Sequence, residues 1–136
     1  MNKSSKLYKT CLLLEDDPED QESFVDTLHA VSSRTGCYAV SNGEEALLML
    51  SQEEIRPDYI FTDIEMPCMD GYEFIRQVKT IDEYSRIPII VYSSVYSTAH
   101  LDRIKELGVL ACYPKSSAQI LFEILRQYFG EDTSRF

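Results

Sequence analysis

The sequence contains no apolar run of the length that crosses a membrane. Its longest apolar stretches, such as Ile87–Tyr92, are far shorter than the roughly 20 residues that a membrane-spanning helix needs. The N-terminus is basic, but only the apolar run Cys11–Leu14 follows it before Glu15, which is too short for a secretory signal. These absences predict a cytoplasmic protein with no membrane partner.

Metal-binding patterns of cysteine and histidine are also missing. The four cysteines form no C-x-x-C pair and the chain has only two histidines, so a structural zinc site is not expected. Without a secretion signal, the four thiols are interpreted as reduced cysteines of a cytoplasmic protein. The glycine-rich patterns G-x-x-x-x-G-K-[ST] and G-x-G-x-x-G are absent, and so are internal repeats.

Basic residues are scarce relative to acidic ones. The chain has 13 Lys and Arg against 23 Asp and Glu, a formal net charge of −10. Electrostatic attraction to nucleic acid requires clustered Lys and Arg, so no nucleic-acid partner is expected. No Lys or Arg occurs from Thr10 to Ser33, whereas seven acids lie between Glu15 and Asp26. This stretch is either a solvated acidic face or a binding site for a cation.

The 136 residues fit one ordinary domain, in which apolar runs alternate with amphipathic stretches five times. The predicted strands are Cys11–Leu14, Cys37–Val40, Tyr59–Asp63, Pro88–Tyr92 and Val109–Tyr113. The first predicted helix starts at Pro18 after an Asp17 cap and is closed by Gly36, and the second spans Glu44–Leu50. The third contains Phe74, Ile75 and Val78. The fourth runs from about Ser97 to Leu107 before Gly108, and the fifth starts near Ser116. Five repeats of strand then helix predict an α/β fold with a parallel sheet covered on both sides.

Polar residues follow four of the five predicted strands. Glu15 and Asp16 follow the first strand, Asp63 ends the third, Ser93 follows the fourth and Lys115 lies beyond the fifth. In such folds the site lies outside the carboxyl ends of the strands, so we expect these residues at one edge. Carboxylates there would repel by roughly 4 kcal/mol per pair at about 4 Å and an effective dielectric of about 20. A cation is therefore expected among them.

The chemistry of this edge favours a phosphoryl group. Mg²⁺ is the hard cation that binds one or two carboxylates together with phosphate. A lysine adds a second positive charge and a serine adds a hydrogen bond, and both suit the peripheral oxygens of a phosphoryl group in transfer. A carboxylate nucleophile would then give an aspartyl phosphate.

Three stretches closely resemble the receiver domains of bacterial two-component response regulators, namely Leu12–Pro18, Asp63–Glu73 and Ile87–Ser94. The second stretch meets the family pattern D-x-x-M-P-x-M-D-G at every defined position. The resemblance implies a flavodoxin-like, doubly wound sheet of five parallel strands in the order 2-1-3-4-5, with five helices in a three-layer αβα arrangement. It assigns residues 9–129 to the receiver domain, 1–8 to a basic N-terminal tail and 130–136 to a C-terminal tail.

The resemblance implies a magnesium site and a phosphoacceptor. Glu15 and Asp16 correspond to the acidic pair of the family, and Mg²⁺ is held by Asp16, Asp63 and the carbonyl of Glu65. With Glu15 included as the second member of the acidic pair, the predicted metal-binding residues are Glu15, Asp16, Asp63 and Glu65. The side chain of Glu65 is expected beside the site. Asp63 accepts the phosphoryl group, Ser93 is the switch hydroxyl and Lys115 contacts the phosphoryl oxygens.

The function implied is a signalling switch rather than an enzyme of metabolism. Asp63 would receive its phosphoryl group from a histidine kinase or a phosphotransfer protein, and self-dephosphorylation would reset the switch. The fourth helix, fifth strand and fifth helix would form the face that binds a downstream protein. Since only seven residues follow Phe129, we expect a stand-alone receiver, either a monomer or a weak homodimer.

The last segment departs from the family pattern. The usual proline after the lysine is Ser116, and the switch aromatic expected three residues before the lysine is Cys112, with Tyr113 next to it. A cis bond between Lys115 and Ser116 would cost about 2.5–4 kcal/mol, so we predict a trans bond and a locally rearranged loop. These changes leave open a pseudo-receiver, an interaction module that is not phosphorylated.

A small phosphatase is a further alternative. An aspartyl nucleophile of that kind usually has a second acid two residues later as general acid, and Glu65 stands at that position after Asp63. The chain lacks the extra length for a substrate pocket, which disfavours this interpretation.

Overall fold

A computed structural model describes residues 8–53, 55–94 and 97–130. Its elements, in chain order, are β1 (Thr10–Leu14), α1 (Pro18–Val31), β2 (Gly36–Val40), α2 (Gly43–Ser51), β3 (Tyr59–Thr62), α3 (Gly71–Lys79), β4 (Ile89–Ser93), α4 (Thr98–Glu106), β5 (Ala111–Pro114) and α5 (Ala118–Phe129). The two predicted tails, apart from residues 8 and 130, lie outside the described residues, so the predicted domain boundaries stay predictions.

The five strands form one parallel sheet in the order β2-β1-β3-β4-β5. One apolar cluster contains Leu12 and Leu14 of β1 with residues of α2 and α3, and the other contains Cys11 and Leu13 with residues of α1 and α5. Alternate residues of β1 thus face two separate cores, as the period of a strand requires. The predicted fold class, sheet order and layering are confirmed.

Strand β4 is the most deeply buried element of the sheet. All five of its residues, including Ser93, are buried. Continuous burial is expected for a parallel strand that is covered by helices on both faces. Ile90 and Tyr92 pack on the α5 side while Ile89 and Val91 pack on the opposite side, so β4 separates the two cores.

The prediction that Gly36 closes the first helix is wrong. Helix α1 ends at Val31, where the Ser32 N–H donates to the Leu28 carbonyl, and Gly36 is the first residue of β2. The Gly36 N–H donates instead to the Lys9 carbonyl at 3.0 Å, which starts the pairing of β1 with β2. Gly108, in contrast, follows the end of α4 with φ of +78°, in the left-handed region that favours glycine at a helix stop.

Capping side chains fix where the helices nearest the sheet edge begin. Asp17 accepts from the N–H groups of Glu19 and Asp20 at the start of α1, with Pro18 as the first helical residue. Asp70 accepts from the N–H of Glu73 at the start of α3. Both caps satisfy N–H groups that have no partner inside the helix. Within the described residues, every helix is too short or too polar to cross a membrane.

Candidate functional site

The carboxyl edge of the sheet brings together the residues that follow three strands. Backbone hydrogen bonds continue one residue past each strand: the Glu15 N–H donates to the Val40 carbonyl at 2.9 Å and the Asp63 N–H to the Leu14 carbonyl at 3.0 Å. The Lys115 N–H donates to the Ser93 carbonyl at 2.9 Å. The three side chains therefore start from backbone that the sheet itself holds.

The Lys115 ammonium is the centre of the cluster. Its Nζ lies 2.8 Å from Glu15 Oε1, 2.8 Å from Asp20 Oδ2 and 3.0 Å from Asp63 Oδ2. An ammonium has three N–H donors, so these three contacts account for all of them. Burial by itself would lower the pKa of Lys115, but the hydrogen bonds to the three carboxylates outweigh it and raise this pKa above its ordinary value. The lysine is therefore charged whenever the protein is folded at neutral pH.

Asp63 is buried with its carboxylate in a fixed orientation. Oδ1 accepts from the N–H of Ile64 at 2.7 Å and Oδ2 accepts from Lys115. Gly71 approaches the same backbone so closely that a Cβ there would lie 2.3 Å from the Asp63 carbonyl oxygen. The Gly71 N–H also donates to the Ile64 carbonyl at 2.8 Å. This contact explains why glycine stands eight residues after Asp63.

Glu15 is a buried acid whose two oxygens are both bonded. Oε1 faces Lys115, and Oε2 accepts from the N–H of Asp17 at 3.1 Å. Burial raises the pKa of Glu15, the hydrogen bonds from Lys115 and Asp17 partly offset this, and the nearby Asp63 charge adds to the rise. The folded protein therefore holds a proton on Glu15 more tightly than an exposed glutamate would.

Three of the predicted metal ligands lie close together. Glu15, Asp16 and Asp63 each offer one carboxylate oxygen, and these oxygens all lie within 4.8 Å of one another. Asp16 is exposed while the other two are buried, so the group is closed on the protein side and open to solvent on the other. Hard oxygen donors with room for retained water are what Mg²⁺ prefers, and the residues fit that ion. Glu65 is exposed and its carboxylate is outside this group in the described part of the chain.

The segment around Lys115 shows how the departures from the family pattern are accommodated. The bond between Lys115 and Ser116 is trans, as predicted, since the described residues contain no cis peptide bond. The Ser116 N–H donates to the Tyr92 hydroxyl at 3.1 Å, a bond that a proline at this position would lack. The backbone N–H of Ser116 therefore connects the loop after β5 to the end of β4.

Strand β5 keeps a regular register through Cys112 and Tyr113. Tyr113 is paired with Tyr92 and its hydroxyl lies 2.8 Å from the Tyr128 hydroxyl on the α5 side. Cys112 packs against the opposite core. The Tyr113 ring therefore does not take the position of Cys112, where the family pattern has its aromatic residue. Ser93 is fully buried and in register with Pro114.

The sequence prediction did not single out Asp20 or Tyr92, and both contact the segment of Lys115. Asp20 belongs to the acidic stretch from Glu15 to Asp26, which the sequence leaves open as a solvated face or a cation site, and its carboxylate accepts from Lys115. The available signal was the Asp17-Pro18 cap, which places Asp20 in the first turn, next to the ends of the strands. The Tyr92 contact has no comparable signal, because its acceptor role depends on the path of the loop after β5.

A comparison with known proteins decides the family. Residues 11–126 match the response regulator receiver domain family. The chain belongs to this family. The receiver is 30% identical over 124 residues to the polar-differentiation response regulator DivK of Brucella anthropi, an alignment that covers 90% of the chain and 98% of DivK. Some relatives are much longer, and the chain spans 41% of a probable C4-dicarboxylate response regulator, DctR, of Halalkalibacterium halodurans, to which it is 33% identical over 99 residues.

Solved structures of receivers have the same architecture. The phosphorylated cyanobacterial phytochrome response regulator RcpA superposes with a TM-score of 0.81 at 27% identity, covering 88% of this chain and 90% of RcpA. The Mn²⁺-bound form of the response regulator Rcp1 superposes with a TM-score of 0.78 at 25% identity, again covering 88% and 90% of the two chains. The resemblance drawn from the sequence motifs is therefore confirmed.

Proposed function

We propose that this receiver is a phosphoacceptor switch of a two-component phosphorelay, with Asp63 as the acceptor. The observation that carries the proposal is the placement of the Asp63 carboxylate. It is buried at the carboxyl edge of the sheet, between the Ile64 N–H and the Lys115 ammonium and beside the carboxylates of Glu15 and Asp16. A buried acid with two donors and a cation-binding group next to it is arranged to react rather than to stabilise the fold.

The chemistry proposed is transfer from a phosphohistidine of a histidine kinase or phosphotransfer protein. An oxygen of Asp63 attacks phosphorus, the bond between phosphorus and the imidazole nitrogen breaks, and the imidazole leaves after taking up a proton. Lys115 donates to the phosphoryl oxygens, over which the charge of the transferring group is spread in the transition state. Mg²⁺, held by Glu15, Asp16, Asp63 and the Glu65 carbonyl, would neutralise charge on the same oxygens.

The switch follows from the charge that phosphorylation adds. A phosphoryl group brings about two negative charges, which favour an arrangement with the Ser93 hydroxyl and the loop before α4 drawn toward Asp63. The face of α4, β5 and α5 would then bind a downstream protein. Leu110, just before β5, and Ile120 of α5 are large apolar residues that are more than half exposed on these elements, which supports a protein contact there.

Phosphorylation by a small phosphodonor tests the proposal. The protein is incubated with Mg²⁺ and acetyl phosphate, and intact mass is measured on wild type, Asp63→Asn and Asp82→Asn. We expect one phosphoryl group on wild type and on Asp82→Asn, an exposed acid of the α3–β4 connection, and none on Asp63→Asn. Labelling of Asp63→Asn would show that the acceptor is another residue.

The same assay separates the switch from a pseudo-receiver. A wild-type protein that stays unlabelled, under conditions that label other receivers, would support the interaction module that is not phosphorylated. A small phosphatase would instead release inorganic phosphate from a phosphomonoester over many turnovers, which we do not expect.

A further inference from the structure

Lys115 is held by one carboxylate that does not belong to the cation-binding group. Asp20 Oδ2 lies 2.8 Å from Lys115 Nζ. The three acids that converge on a cation position are Glu15, Asp16 and Asp63, and Asp20 is not among them in the described part of the chain. Asp20 therefore acts on the site through the lysine and not as a metal ligand.

The fold fixes Asp20 before any ligand binds. It lies in the first turn of α1, where its N–H donates to Asp17 Oδ1 at 3.2 Å. The N-terminal end of a helix carries a partial positive charge, which favours a carboxylate in this turn. Its side chain is 46% exposed, against 5% for Glu15 and 7% for Asp63. Among the three partners of Lys115, Asp20 is thus the one most easily released to solvent.

We propose that Asp20 is a positioning residue that competes with the phosphoryl oxygens for the Lys115 ammonium. This inference rests on the proposed function, since it concerns what Lys115 does when Asp63 is phosphorylated. The three N–H donors of the lysine all face carboxylates. A phosphoryl group on Asp63 takes over the donor that Asp63 used, and it gains a second donor only when Glu15 or the more exposed Asp20 gives one up.

Asp20 therefore has two opposite effects: it orders the Lys115 side chain and lowers the affinity of the site for a phosphoryl group. Asp20 holds Lys115 at the acid cluster while Asp63 is unmodified. When phosphate arrives, its negative charge repels the Asp20 carboxylate and both compete for the same donor. Asp20 thereby weakens the hold of the site on the phosphoryl group and favours the return to the unphosphorylated arrangement.

Binding of beryllofluoride, a phosphoryl-group analogue, tests this with Mg²⁺ present and is followed by isothermal titration calorimetry. We expect Asp20→Asn to bind beryllofluoride about two- to fivefold more tightly than wild type, the factor that corresponds to a partly exposed ion pair. Glu19→Gln is the matched control, because it removes one exposed charge from the same helical turn without a contact to Lys115. The conservative variant Asp20→Glu keeps the charge and should restore the affinity of wild type.

Each outcome has one meaning. Tighter binding by Asp20→Asn alone supports the competition. Equal changes in Asp20→Asn and Glu19→Gln would show an effect of overall charge. Unchanged or weaker binding by Asp20→Asn would show that Asp20 does not compete. Either result overturns the inference, whereas beryllofluoride binding by wild type still supports the proposed function. A wild type that neither binds beryllofluoride nor is phosphorylated overturns both.

Discussion

The Lys115 ammonium lies 3.0 Å from Asp63 Oδ2, so the geometry of the acid cluster depends on a cation that the chain itself supplies. Lys115→Met removes the charge and keeps most of the side-chain volume. We expect the free energy of unfolding to fall by about 3 kcal/mol without Mg²⁺, because Asp63 and Glu15 are left buried without their partner. Urea denaturation with and without MgCl₂ measures this loss.

Mg²⁺ should restore part of the stability that Lys115→Met loses. It should also stabilise this variant more than wild type, because Mg²⁺ at the carboxylates is no longer repelled by the Lys115 ammonium. Lys105→Met, which removes an exposed lysine of α4, is the control and should unfold like wild type. A Lys115→Met protein as stable as wild type in chelator would contradict the central role of the lysine.

Glu15 gives a prediction about pH. Its pKa is raised in the folded protein, chiefly by burial, so the contribution of Glu15 to stability is present below its unfolded pKa and is lost as the pH rises through the folded value. At pH 7 in chelator, Glu15→Gln should therefore be more stable than wild type, because the net effect of burial, Asp63 and the hydrogen bonds to Glu15 disfavours the charged carboxylate.

The stability difference between Glu15→Gln and wild type should close as the pH falls from about 7 toward about 4, where wild-type Glu15 takes up its proton. Chemical denaturation at a series of pH values checks this. A variant that is less stable than wild type at pH 7 would mean that the bond to Lys115 outweighs the cost of burial.

Gly43 and Gly71 provide a matched pair, since each is the first residue of a helix and follows an Asn or Asp cap. A Cβ at Gly71 would lie 2.3 Å from the Asp63 carbonyl oxygen, which is backbone and cannot move aside alone. Gly71→Ala should lower the free energy of unfolding by about 3 kcal/mol and slow phosphorylation of Asp63. Thermal denaturation and the phosphodonor assay measure both effects.

Gly43→Ala should be much milder. Its Cβ would lie 2.8 Å from Met69 Sδ and 2.9 Å from Met69 Cγ, in a flexible side chain, and 3.0 Å from Phe74 Cβ, whereas no backbone atom is among these contacts. The gain in helix propensity, at most about 1 kcal/mol because Gly43 is the first residue of α2, offsets part of the crowding. Equal effects of the two substitutions would contradict the tight approach of Gly71 to the Asp63 backbone.

The placement of Glu15, Asp63 and Lys115 could be predicted from the sequence because it depends on strand ends. Short apolar runs mark the strands, and parallel strands put their carboxyl ends at one edge whatever the details of packing. The contact between Asp20 and Lys115 joins residues 95 positions apart. It depends on how α1 is rotated against the sheet, which the acidic composition of the helix does not reveal.

The end of α1 differs from the predicted one because the neighbouring strand decides it. A glycine after an amphipathic run is a common helix stop, but the helix ends at Val31 and a short turn precedes Gly36. The Gly36 N–H is used by the sheet, through the Lys9 carbonyl. Which hydrogen bond a glycine takes is decided by the neighbouring strand, and the local sequence does not contain that information.

The hydroxyl of Tyr92 gives the last prediction, since it accepts the N–H of Ser116 next to Lys115. Tyr92→Phe should lower the free energy of unfolding by about 1 kcal/mol, the typical value of one hydrogen bond, and speed hydrogen exchange at the Ser116 amide. Because the backbone of the neighbouring lysine loses this tie, phosphorylation of Asp63 should slow as well. Hydrogen exchange by NMR and the phosphodonor assay measure the two effects.

Tyr84→Phe is the matched control for Tyr92→Phe. Both tyrosines are 8% exposed, and the Tyr84 hydroxyl donates to the Leu50 carbonyl at 2.6 Å, away from the acid cluster. Removal of the Tyr84 hydroxyl should lower the free energy of unfolding by about as much as Tyr92→Phe does and should leave the rate of Asp63 phosphorylation unchanged. Slower phosphorylation in both variants would mean that the rate follows overall stability, whereas a change confined to Tyr92→Phe would mean that Ser116, through its N–H, helps to hold Lys115 in place.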